Sequence, residues 1–204
     1  MIGSSHLARF WLRCRDERAA QIVEFAVSLP LLVVFVVGIY DFSGAFTLKQ
    51  KLTNIARDTA RIAAADPASD LTNPNNANGL PTSVNDAFQA LQNYLSANNI
   101  ANCGITAPAA PSALTWTFTA SSCTAGVETF TINRGYYYSS LGGGLPSATC
   151  AAGAIGSGNL AVISTCVSIQ YVYKWQFGRV ASLIGSTTAL PTSITVTAVA
   201  MNEN

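Results

Sequence analysis

The sequence predicts an α+β protein: one long N-terminal helix packed on a small antiparallel β-sheet, with a second short helix between them. Three observations carry that reading. The N-terminal part holds an apolar run that turns amphipathic without a break, the second half alternates with period two, and four cysteines are spread through that second half. Of the 204 residues 50% are hydrophobic and only 10% charged, which excludes a disordered chain. A formal net charge of +1 argues against nucleic acid as the main partner, which would want a clustered basic face.

The apolar run "AAQIVEFAVSLPLLVVFVVGIY" is long enough to cross a bilayer only when counted from its start. Phe25 to Tyr40 is uncharged but spans only about 24 Å at the helical rise. Counting from Ala19 extends it to about 33 Å, against a hydrocarbon core of roughly 30 Å. Glu24 then belongs at or just below the inner headgroup layer. Arg9, Arg13, Arg15 and Arg18 precede the run, which sets that end inside and the bulk of the chain outside.

From Asp41 onward Leu48, Leu52, Ile55, Thr59 and Ile62 step by four and three, so one stripe of the continuing helix lies on a protein surface. One helix is expected from about residue 20 to 65, kinked at Pro30, where a backbone hydrogen bond is lost, and ended by Asp66-Pro67. The expected divisions are 1–19, an inner basic leader; 20–41, a transmembrane helix; 42–66, its amphipathic continuation; and 67–204, an outer head.

"DPASDLTNPNNANGLPTS" has loop chemistry. Its Asp66, Asp70, Asn73 and Asn75 are oxygen donors of the kind calcium takes, yet their spacing matches no known calcium loop. A solvated loop without metal is expected. Ser83 is the expected N-cap of the second helix, with Val84, Ala87, Phe88, Leu91, Tyr94 and Leu95 on its inner face. Four strands follow. "LTWTFTA" sets Leu114, Trp116 and Phe118 against threonines, and "VETFTIN" sets Val127, Thr129 and Thr131 against Glu128, Phe130 and Ile132. Next come the β-branched run "NLAVISTCVSIQYVYKW" and then "SITVTAVAM", with Ile194, Val196, Ala198 and Ala200 on one side. "WQFGRVASLIG" reads as a short helix or turn between the last two strands, and "SSLGGGLPSATCAAGAIGSGN" as a loop tied at Cys150.

Cys103, Cys123, Cys150 and Cys166 fall on the outer side, where two disulfides are expected, with three connectivities open. Pairing neighbours closes loops of about twenty and sixteen residues, each worth roughly 3 kcal/mol by loop entropy. Cys14 lies on the inner side. Catalytic chemistry finds no support. His6, the only histidine, is in the leader, so no outer Ser-His or Cys-His couple can form. "LGGGLP" and "AIGSGN" lack the Lys-Ser/Thr of a phosphate loop. No metal and no cofactor are expected, and an enzyme is not. "YYYSS" and "QYVYKWQF" have the make-up of an aromatic adhesion patch, though such runs more often serve as sheet packing.

Beyond pattern, particular residues carry a resemblance. Val23-Glu24-Phe25, Leu29-Pro30-Leu31, Gly38-Ile39-Tyr40-Asp41-Phe42 and Ala56-Arg57-Asp58-Thr59-Ala60-Arg61 resemble the TadE-like minor pilins (pseudopilins) of tight-adherence pili, and "VTAVAMNEN" looks like that family's closing strand. The resemblance implies a type IV pilin-like fold. It also implies a prepilin peptidase reading Arg13, Arg15 and Arg18 and cutting between Ala19 and Ala20, where alanine stands in place of the family's usual glycine before the cut. Glu24 would then be the fifth residue of the mature chain, facing the free amine of a neighbouring subunit. Implied partners are the other major and minor pilins of the system, an inner-membrane assembly platform and membrane lipid. The implied location is the bacterial inner membrane, crossed once, with the head in the periplasm or outside. Two rivals remain: a secreted binding module whose signal peptide is cut after Ala45, and an uncleaved signal anchor displaying an adhesin.

Overall fold

A computed structural model describes residues 17–72, 79–106, 114–120, 123–139, 149–151, 161–176 and 191–203. The expected helix or turn after Trp175, most of the loop around Cys150, and Asn73 and Asn75 lie outside them.

Helix α1 runs unbroken from Glu17 to Ala65, through Pro30. A 3-10 turn, Ala68–Thr72, and helix α2, Thr82–Ala97, follow. Strands β1 (Thr115–Thr119), β2 (Gly126–Ser139), β3 (Ala161–Val172) and β4 (Ser193–Met201) form one sheet in the order β1-β2-β3-β4, every neighbour antiparallel. The α+β arrangement expected from the sequence is therefore the observed one, and it is like that of a pilin. The chain divides into two compact units: Met1–Gly44 with Gln176–Thr188, and Ala45–Trp175 with Ala189–Asn204.

The second unit is built around one apolar cluster. Along α1 the four- and three-residue steps bury Leu52, Ile55, Ala56, Thr59, Ala60 and Ala63, while Arg57 and Arg61 stay exposed. The Ala-Arg-x-x-Ala-Arg motif thus has a packing logic. Its alanines, four residues apart on one face, meet the core, and its arginines meet solvent. Helix α2 adds Val84, Ala87, Leu91 and Leu95. The sheet adds Trp116, Phe118, Phe130, Ile132, Val167, Ile169, Val196 and Ala198. Phe88 stacks on Phe118 with ring centroids 4.2 Å apart, fastening α2 to β1.

On the opposite face of the sheet a smaller cluster joins Tyr136, Cys150 and Cys166, with Val199 against it. Disulfides link neighbours, Cys103–Cys123 and Cys150–Cys166, with Cα atoms 5.5 and 5.6 Å apart. The second ties the segment at Cys150 onto β3 over this outer face.

Three expectations need correction. Ser83 is not the N-cap of α2. The helix begins at Thr82 after Pro81, without a side-chain cap, and Ser83 instead donates its backbone N–H to Asp70 Oδ2 at 2.8 Å. Proline at the cap position leaves no capping side chain, so a carboxylate from the preceding turn serves a first-turn donor. Leu114 does not continue the inward series of Trp116 and Phe118. It precedes β1 with φ 61° and is 43% exposed. Strand β2 does not alternate simply, because its register with β3 shifts between Val127 and Thr129. The extra residue at Glu128 lets Val127 and Phe130 both face the core, which strict alternation forbids.

Candidate membrane stem and assembly site

Within the first unit, the described part of α1 is largely exposed along its length. Alanine and leucine suit it intrinsically, while its phenylalanines, valines and isoleucines gain from an environment without water, where every backbone group must bond within the segment. Ile22, Phe25, Val27, Leu31, Phe35 and Ile39 are all exposed. An eighteen-residue window of this helix is apolar enough to cross a membrane, and none of it is buried inside the molecule. A core helix of a soluble protein would be covered by its own chain, and this one is not.

Glu24 lies exposed in that surface. Gln21, Glu24 and Ser28 are three and four residues apart, so they form one polar line on the helix. Ser28 turns its hydroxyl back to the carbonyl of Phe25 at 3.2 Å, which satisfies it without a partner chain. Val23, Phe25, Leu29 and Pro30 flank this line and are likewise exposed. Ala20 is exposed one turn before Glu24. Arg18 and Ala19 are in the helix by backbone, their side chains lying outside the described residues together with Arg13, Arg15, Cys14 and His6.

At the other end of the apolar run the motif residue Asp41 is buried, 6% exposed, between Tyr40 at 69% and Phe42 at 62%. Its Oδ1 accepts the backbone N–H of Gln176 at 3.2 Å. Sequence alone marked Asp41 as a motif residue; the structure adds that it holds the start of the β3–β4 connection to the stem. Gly38 has open space where a Cβ would be, so no close packing within this chain requires glycine there.

The junction closing α1 in the second unit escaped the sequence reading. Arg134 in β2 is 1% exposed. Its Nη1 donates to the carbonyl of Ala63 and to Thr165 Oγ1 (3.2 Å), and its Nη2 donates to the carbonyl of Asp66 (2.8 Å). Glu203 N–H donates to Ala64 O at 3.1 Å. Thr165 Oγ1 donates to Asn202 Oδ1 at 2.6 Å, and Asn202 Nδ2 to Arg134 O at 3.3 Å. Carbonyls at a helix C-terminus have no partner within the helix, and here an arginine and the C-terminal tail supply them. Burial draws Arg134 below an ordinary guanidinium, against the pull of Asp70 and Asp66. Burial also holds the Asp66 carboxyl above its usual value, helped by the like charges of Asp86 and Asp70 and opposed by Arg134. The one visible signal was an arginine between Asn133 and Gly135 in a strand with no other cation.

The class of protein follows from these parts: an apolar single helix, uncovered at its N-terminal half, passing into a head made of a second helix and an antiparallel sheet, as in pilins. Residues 19–61 match the family model described as TadE-like protein. No curated protein and no solved structure matches the chain. The family match covers the motif residues on α1 and ends before α2 and the sheet, and it suggests involvement in assembly of tight-adherence pili. The apolar helix is compatible with membrane anchoring in such a system.

Proposed function

We propose that this chain is a minor pilin, or pseudopilin, held in the inner membrane by α1 with its head outside, and a structural rather than catalytic component. A prepilin peptidase reads Arg13, Arg15 and Arg18 and cuts between Ala19 and Ala20. The freed amine of one subunit then meets Glu24 of a neighbour, a major or minor pilin gathered at the assembly platform. One observation carries this reading: a helix matching the TadE-like family model presents a largely exposed apolar surface with a single acid, Glu24, between Ala20 and Tyr40. A bare carboxylate in an apolar helix bundle is costly, and an amine from an adjoining helix relieves that cost. The attraction therefore fixes register as well as contact.

The unbroken course of α1 past Ala45 supports an anchor over a signal peptide cut at that point, because such a cut would fall inside a helix whose next turns, at Leu48 and Leu52, pack the head. N-terminal sequencing and intact mass of the protein purified from piliated cells test the proposal. A chain starting at Ala20 is expected; a start at Phe46, or a chain retaining residues 1–19, overturns it. Glu24→Gln should leave membrane insertion unchanged and lower incorporation into pili at least about tenfold, the scale of one charge-assisted contact. Normal incorporation of that variant would remove the pairing role.

A further inference from the structure

Asp41 is the only charge between Phe25 and Leu48, and the membrane helix expected from the sequence stops at it. In the structure that carboxylate is taken off the surface of α1. Asp41 is buried, and its Oδ1 accepts the Gln176 N–H, so acid and backbone donor serve each other. The exposed surface of α1 stays apolar past this level. Phe35, Ile39, Phe42 and Phe46, spaced by four, three and four, form one exposed stripe. The other exposed residues between Phe42 and Leu48 are Ser43, Gly44 and Thr47, which are small and uncharged. The first exposed charges on the helix are Lys49 and Lys51.

This surface has the length of a membrane. From Phe25 to Phe46 the helix rises about 33 Å, against a hydrocarbon core of roughly 30 Å. Charge on the exposed surface of α1 then stands at the two edges: Glu24 immediately before Phe25, and Lys49 and Lys51 just after Phe46. A span ending at Asp41 must start near Ala20 to reach the same length, which puts Glu24 inside it and leaves Phe42 and Phe46 in water. Helical side chains lean toward the N-terminus, so Lys49 and Lys51, about 4.5 and 7.5 Å along the axis from Phe46, lean back toward the headgroups. Their apolar stems follow the helix while the ammonium groups reach phosphate. Irregular backbone at membrane depth must have its polar groups satisfied by protein, and Asp41 does this for the Gln176 N–H.

We propose that α1 is seated in the bilayer from Phe25 to Phe46, with Phe42 and Phe46 in the hydrocarbon of the outer leaflet and Lys49 and Lys51 on its lipid phosphates. That seat rests on the reading that α1 spans the membrane with the head outside; it needs neither the cut at Ala19 nor the pairing of Glu24. It also keeps the Glu24 carboxylate hydrated at the inner boundary until a partner amine arrives.

Photo-crosslinking of the full chain in vesicles of phosphatidylcholine and phosphatidylglycerol in equal parts tests the seat. Benzoylphenylalanine is introduced in turn at Phe35, Phe46 and Asn54, all exposed, and lipid adducts are read by mass. Adducts are expected at Phe35 and Phe46 and not at Asn54, which lies about 12 Å beyond Phe46. In the Phe46 adduct phosphatidylglycerol should outweigh phosphatidylcholine about fivefold, the effect of one lysine near an anionic surface. Lys49→Gln together with Lys51→Gln should remove that preference. Both lysines are exposed, so the head keeps its packing without their charge. An adduct at Phe35 without one at Phe46 overturns the seat and leaves the membrane-spanning reading standing, whereas no adduct at Phe35 overturns both. A lipid adduct at Asn54, or a preference that is absent or survives in the double lysine variant, also overturns the proposal.

Discussion

Arg134 shows how much a single side chain can settle without leaving a readable trace in the sequence. Flanked by Asn133 and Gly135, it looks like the end of a strand, yet β2 runs on to Ser139. A shift of register between Asn133 and Tyr136 absorbs the irregularity: Asn133 turns outward to the carbonyl of Cys150 (2.8 Å), and Arg134 turns inward to the end of α1. Arg134→Ala would leave the carbonyls of Ala63 and Asp66 without their donor and a hole beside Thr165. With buried unsatisfied acceptors costing about 1–3 kcal/mol each, the variant should lose roughly 3 kcal/mol of head stability. Arg134→Lys, which keeps the charge but not the planar fork, should recover only part of that. Denaturant unfolding read at Trp116, which is buried in the same core, checks both; an unchanged midpoint in Arg134→Ala would mean the guanidinium closes nothing. Contacts of this kind link residues 71 and 68 positions apart, a distance over which periodicity carries no information.

At the scale of elements the sequence was largely legible, for a definite reason. Helix α1 and the four strands each bury one face, so their periods of 3.6 and two survive in the order of residues. Legibility failed where geometry departs from those periods. The Glu128 bulge reversed the facing of part of β2, and the start of α2 took its support from Asp70 rather than from a capping side chain of its own. The beginning of β2 shows a stricter constraint. Gly126 has φ 148°, and a Cβ there would meet Cys103 Sγ at 2.5 Å and the carbonyl oxygen of Ala101 at 2.8 Å. The Val127 N–H donates to that same carbonyl at 3.0 Å. Neither the disulfide sulfur nor the backbone can move aside cheaply. Gly126→Ala should therefore cost about 2–3 kcal/mol and reduce formation of the Cys103–Cys123 bond during oxidative folding. Free-thiol labelling of the purified variant measures the second effect, and full oxidation with wild-type stability would show that the strand end tolerates a side chain.

For the whole molecule, the two compact units present different surfaces. In the stem unit nearly every large apolar side chain of α1 is exposed, whereas from Leu48 onward the same helix turns its apolar stripe into a core shared with α2 and the sheet. The family match covers the stem and the turns of α1 that pack the head, and leaves α2 and the sheet undescribed. It follows that the head should carry its own stability. A fragment starting at Ala45 keeps Leu52, Ile55, Ala60 and Ala63, both disulfides, and the Arg134 junction with its C-terminal tail. Each disulfide contributes about 3 kcal/mol by restricting the unfolded chain. Exported to an oxidising compartment, that fragment should be soluble without detergent, show sharp near-ultraviolet circular dichroism and unfold cooperatively. The full chain, with its bare apolar stem, should fractionate with membranes. A fragment that aggregates or melts without cooperativity would mean that residues before Ala45 contribute to the head's folding, and would overturn the division of labour between an anchoring stem and a self-sufficient head.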